Sequence, residues 1–179
     1  MRDREALIQF LHQMCRLMGV QDVDAEKYNW IFDLMGYRAH RDDDAARRIT
    51  YAAKFSAEIA AYLRSSCEQM SPPVGPGATV HRACLAAYND YQIFASLRYQ
   101  KAQKRHFSFW RPNQLPLLLR YHRFNRALRR AVREVTVAAA DVGVASSRIR
   151  EWMEEGRNDG LDRWLKHIEA YENSPQQPG

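Results

Sequence analysis

The stretch "AAADVGVASSRIREW", residues 138–152, decides how the C-terminal part of the chain is built. A run of small residues meets Gly143, then a Ser146–Ser147 pair, then a helix-like tail carrying Arg148 and Arg150. The spacing predicts two helices joined by a tight turn. Glycine takes left-handed φ without a Cβ clash, so Gly143 is the expected turn residue. Ala138, Ala139 and Val142 form the inward side of the first helix, and Val144 enters the core. Ile149 and Trp152, three apart, face inward from the second helix. Ser146 or Ser147 is expected to cap that helix and Gly156 to end it. The same parts also describe a plain helical hairpin, so the surrounding sequence matters.

Upstream of this stretch the pattern is helical throughout, and no alternating strand pattern stands out. Leu7, Leu11, Met14 and Met18 recur at helical spacing within Glu5–Met18, with Gly19 expected to end that helix. Asp24 is expected to cap a second helix through Leu34, stopped by Gly36. Asp42, Asp43 and Asp44 sit at the start of a long third helix reaching about Cys67, where carboxylates suit the positive end of the helix dipole. "SPPVGPGAT", 71–79, is the strongest breaker and the best place for a boundary. A fourth helix is expected from about Val80 to Arg105, then an interruption, "HFSFWRPNQLP", at 106–116. A fifth follows over about 117–134.

Charge is segregated along the chain. The formal net charge is +6, yet residues 91–133 contain no Asp or Glu. Along 117–134, Leu117, Tyr121, Phe124, Leu128, Ala131, Val132 and Val135 fall on one side at 100° per residue. Arg120, Arg123, Arg126, Arg129, Arg130 and Arg133 fall on the other. A solvated helix face normally mixes signs, whereas this one meets no acid until Glu134. Such a face favours an anionic partner. Lys101, Lys104 and Arg105 extend the basic set, interleaved with Tyr99, Phe107, Phe109 and Trp110, a pattern that can also stack unpaired bases.

The module at 135–156 resembles the helix-turn-helix of homeodomain-like DNA-binding proteins. It is most similar to that of bacteriophage small terminase subunits, where a "GV", a short Ser-rich turn and an aromatic-containing recognition helix recur. The resemblance covers 134–172. It implies an all-α protein with a C-terminal helix-turn-helix that binds duplex DNA in phage packaging or regulation. It also implies Arg148 and Arg150 as base or phosphate contacts and Ser146 and Ser147 as backbone contacts. Glu151 and Glu154 share the outer face and would repel phosphates unless they read cytosine amino groups.

Other constellations carry less. "HQMC" (12–15) and "HRAC" (81–84) place His12, Cys15, His81 and Cys84 at helical His-x-x-Cys spacing, and two such pairs can close a zinc site. Buried free cysteine is the ordinary reading, and no metal or cofactor is expected. There is no phosphate-cradling Gly-rich loop and no nucleophile elbow, so no enzymatic activity is expected. No apolar run is long enough to cross a bilayer, the start lacks a signal-peptide pattern, and three scattered Cys fit a reducing cytoplasm.

The expectation is thus an all-α helical bundle. Residues 1–70 form a packing or oligomerisation region, 71–79 a loop or linker, 80–172 a basic region, and 173–179 a flexible tail. Its partner is nucleic acid, with DNA favoured and RNA admitted, in a homo-oligomer or larger assembly. Two alternatives stay open: a backbone-tracking basic subunit of a ribonucleoprotein or viral assembly, similar in size and charge to the small helical subunits of CRISPR effector complexes, and a protein–protein adaptor.

Overall fold

The computed structural model describes residues 2–35, 43–104 and 115–173. Among these are five α-helices and no strand: α1 (Arg2–Met35), α2 (Asp43–Glu68), α3 (Pro76–Gln103), α4 (Leu115–Asp141) and α5 (Ser146–Glu172). Gly36, Asp42, residues 105–114 and residues 174–179, which carry expectations from the sequence, lie outside the described residues.

The core follows from α1. From Leu17 to Asp24 every residue except Asp22 is buried, all round the helix. A helix buried on every side has neighbours on every side. On one flank lie α2, α3 and α4, and on the other lies α5. The α2, α3 and α4 helices run antiparallel in succession. Thr50 bonds the Ala102 carbonyl (3.3 Å), His81 bonds the Cys67 carbonyl (2.7 Å), and the Phe94 and Tyr121 rings meet at 5.3 Å. One apolar cluster joins all five helices, including Leu11 and Met14 of α1, Leu63 of α2, Tyr88 of α3, Phe124 of α4 and Trp152 of α5.

The α1 and α5 helices run parallel, their backbones in direct contact. A Cβ on Gly156 would lie 2.0 Å from the Arg16 carbonyl oxygen, and one on Gly19 would lie 2.0 Å from that of Met153. Glycine here serves close approach of two backbones, not a turn. His12–Glu155 (2.6 Å), Arg16–Asp159 and Arg157–Asp22 (2.8 Å) flank the seam.

Several sequence expectations are corrected by the structure. Gly19 does not end a helix and Asp24 does not cap one, because α1 runs unbroken through both. Asp24 is buried, accepting a hydrogen bond from Ser56 of α2 (2.8 Å), with Arg98 of α3 buried nearby. Burial pushes the Asp24 carboxyl up to about 7 against the lowering pull of Ser56 and Arg98. Gly156 does not end the last helix. It is buried against α1, and α5 continues to Glu172. The fourth helix starts at Pro76 rather than Val80, since proline suits the first helical turn, where its missing N–H breaks no intrahelical bond. The Arg-faced helix and the first helix of the 135–156 module are one continuous α4.

The turn at Gly143 has the expected form. Gly143 has φ 73°, its N–H bonds the Ala140 carbonyl (3.0 Å), and the Val144 N–H bonds that of Ala139 (2.9 Å). This pair of bonds is the Schellman arrangement that satisfies the last carbonyls of a helix. Arg4 of α1 adds two bonds to the Val142 carbonyl (2.7 and 3.2 Å), fastening the turn to the first helix. The turn delivers the chain in extended form at Ala145 (φ −68°, ψ 148°), one residue before the serines. Ala145 is therefore the N-cap, and neither Ser146 nor Ser147 caps α5 through its side chain. No helix among the described residues is long and apolar enough to cross a membrane.

Candidate nucleic-acid interface

The α4 pattern resolves as its periodicity demands. Leu117, Phe124, Ala131 and Val135 are buried, and Tyr121 and Leu128 pack on the cluster behind them. Val132 lies at the edge, 40% exposed. The opposite side of α4 rises beside α3 and encloses a trough. Thr79, Arg82, Ala83, Ala86 and Asp90 line it from α3, and His122, Arg123, Asn125, Arg126, Ala127, Arg129, Arg130, Arg133 and Glu134 from α4. The shape has a simple cause. The facing positions on α3 are mostly small, whereas those on α4 are mostly long, so the arginines stand as a wall over a floor of alanines.

The balance of charge in this trough is uneven. Arg123 is held by Asp90 (2.9 Å). Arg82, Arg126, Arg129, Arg130 and Arg133 make no ion pair among the described residues. Elsewhere several arginines pair with acids: Arg16 with Asp159, Arg64 with Glu68, Arg148 with Glu151, and Arg157 with Asp22 and Glu154. With Asp90 and Glu134 the acids in the lining, the convergent cations outnumber their counter-charges, which raises the local potential and attracts anions.

The other residues expected at the interface are dispersed. Arg120 is half-buried at the border of the α4 face and does not line the trough. Lys101 is half-buried and Lys104 exposed at the far end of α3, and Arg105 lies outside the described residues. Ser146, Ser147 and Arg150 are exposed on the first turns of α5. Arg148 is engaged within the protein, bonding Glu151 (2.6 Å) with its guanidinium 5.8 Å from the Trp152 ring centroid. The α5 helix touches α4 only sparsely, its buried face being committed to α1.

Arg82 was missed by the sequence reading. A signal for it existed: Thr79, Ala83, Ala86 and Asp90 form a stripe of mostly small residues at helical spacing, which marks the α3 face that admits a neighbouring helix. Conversely, Arg98, in the acid-free stretch 91–133, is buried beside Asp24 and is withdrawn from the surface.

The His-x-x-Cys pairs do not converge. His12 faces Glu155 and Trp152, whereas His81 faces the Cys67 carbonyl. Among the described residues no group of three His, Cys, Asp or Glu is placed to hold a metal ion. Cys15, Cys67 and Cys84 are buried free thiols, and burial pushes those of Cys15 and Cys67 up to about 12. Compared with known protein families, characterised proteins and solved structures, the chain matches none.

Proposed function

We propose that this is a non-catalytic nucleic-acid-binding protein whose contact surface is the arginine trough between α3 and α4. One observation carries the reading: Arg82, Arg126, Arg129, Arg130 and Arg133 gather around a single concavity without ion pairs among the described residues, whereas Arg16, Arg64, Arg148 and Arg157 are each paired with an acid. Guanidinium groups match phosphate oxygens with two parallel bonds, which a scattered set of lysines would not.

The test is fluorescence anisotropy of labelled single strands and duplexes over a salt series. Each phosphate contact adds about 0.7 to the log–log salt slope for single strands and about 0.9 for B-DNA. Replacing Arg126 and Arg130 by Ala removes two contacts. The slope for a single strand then falls by about 1.4, and affinity near 0.15 M salt drops roughly tenfold. An unchanged slope refutes the proposal.

A second reading, the helix-turn-helix, is favoured by the Schellman turn at Gly143 followed by exposed Ser146, Ser147 and Arg150. In that case Arg150→Ala relaxes discrimination between duplex sequences while leaving the salt slope near its original value. A trough-only binder is indifferent to Arg150.

A further inference from the structure

We infer that the trough holds a nucleic-acid strand by its phosphates, with the bases turned outward, unread and free to pair. This rests on the nucleic-acid reading of the trough and specifies what is gripped.

The lining carries the argument. Sequence-tolerant recognition of bases in single strands depends on aromatic side chains on which the bases stack. No Phe, Tyr or Trp lines the trough. Phenyl and phenol rings of the same two helices lie in the core instead: the Tyr91 and Phe124 rings stack at 4.7 Å, and Phe94 meets Tyr121. The floor is Ala83, Ala86 and Ala127, which offers a base neither a stacking plane nor a side-chain hydrogen bond. Of the polar lining, guanidinium groups are the larger part, beside Thr79, His122 and Asn125, and they engage phosphate oxygens directly. Asp90, held by Arg123, marks one end of the trough, and Glu134 lies toward the other. These two acids bracket the cationic stretch of α4, which spans about 15 Å from Arg123 to Arg133 at the rise of an α-helix. With the phosphates occupying that stretch, the base edges face solvent.

The experiment uses the full chain and three probes: a fluorescein-labelled mixed-sequence single strand, the same strand with several abasic sites, and a quencher-labelled complement. The abasic strand is expected to bind within about twofold of the intact one, where a stacking platform loses roughly fivefold or more per missing base. Adding the complement to the bound strand is expected to quench fluorescein while anisotropy stays high, since pairing occurs on the protein. A large abasic penalty, or release of the strand by its complement, overturns the inference while leaving nucleic-acid binding intact. Failure of both strands to bind at low salt overturns the underlying reading as well. Arg126→Ala with Arg130→Ala weakens intact and abasic strands equally, with an unchanged unfolding midpoint. Unequal weakening of the two strands also counts against the inference.

Discussion

Replacing Gly156 by Ala tests the seam on which the fold depends, and its sign is diagnostic. In an exposed helix interior, glycine to alanine stabilises by about 1 kcal/mol, because alanine is the better helix former. Gly156 is not in that situation. Its added methyl would stand 2.0 Å from the Arg16 carbonyl oxygen and 2.7 Å from the Arg16 Cα, where ordinary contact begins at 3.4 Å. Both atoms belong to the backbone of α1, so no side-chain rotation relieves the clash. The helices must separate by more than an ångström, straining the Arg16–Asp159 and His12–Glu155 pairs and loosening Trp152. Overpacking of a closed site costs typically 1–3 kcal/mol, and a backbone obstacle puts this case at the upper end. After the propensity gain, the net loss is about 2 kcal/mol, or roughly 4–8 °C in Tm for a chain of this length. Urea unfolding followed by far-UV circular dichroism measures it. Gly160→Ala is the milder comparison, since its methyl meets the Val23 side chain at 3.1 Å and the Val20 backbone at 3.2 Å and a shift of a few tenths of an ångström relieves it, so its loss is expected to be smaller than that at Gly156. Stabilisation of the Gly156 variant by about 1 kcal/mol would refute the close α1–α5 packing.

Further outcomes follow from other contacts. Arg4→Ala removes two bonds to the Val142 carbonyl and is expected to cost about 1 kcal/mol, with faster hydrogen exchange at Gly143 and Val144. Asp24 has a folded pKa raised by burial above the ordinary value near 4, so the folded state binds more protons than the unfolded one between about pH 4 and pH 7. Its contribution is therefore greatest at the acid end of that window and declines as pH rises through it. Asp24→Asn should flatten this decline in urea titrations at several pH values; an unchanged profile contradicts the assignment. Cys15, Cys67 and Cys84, buried as thiols, should resist a thiol-specific reagent in the native protein and react together on unfolding. Rapid native labelling of any one would contradict its burial.

Periodicity carried the sequence reading where side chains act on their own helix. The division of α4 into an apolar side and an arginine side is local, as is the left-handed turn at Gly143, and both were legible. The reading failed where a residue's role is set by a distant partner. Gly19 and Gly156 look like helix ends because glycine usually is one. Their role becomes visible only when α1 and α5 are laid together. Asp24 looks like a cap because an acid in mid-helix is seldom buried, and only Ser56 and Arg98 on two other helices explain it. Arg82 is a single cation on a mixed helix, and only the proximity of α4 makes it part of a set.

The parallel pairing of α1 with α5 also constrains how the chain reaches this arrangement. Arg16 and Asp159 are 143 residues apart, far beyond the local contacts that let helical bundles fold in microseconds to milliseconds. During synthesis at about 5–20 residues per second, roughly 7 to 27 seconds separate the completion of α1 from that of α5. Throughout that interval the strip of α1 around Val20 and Val23 has no α5 to lie against. The α2–α3–α4 meander has only neighbour-to-neighbour contacts to make, and so can assemble first. Closure of the last helix onto the first would then be the slow step of folding, and the one most exposed to premature association between nascent chains.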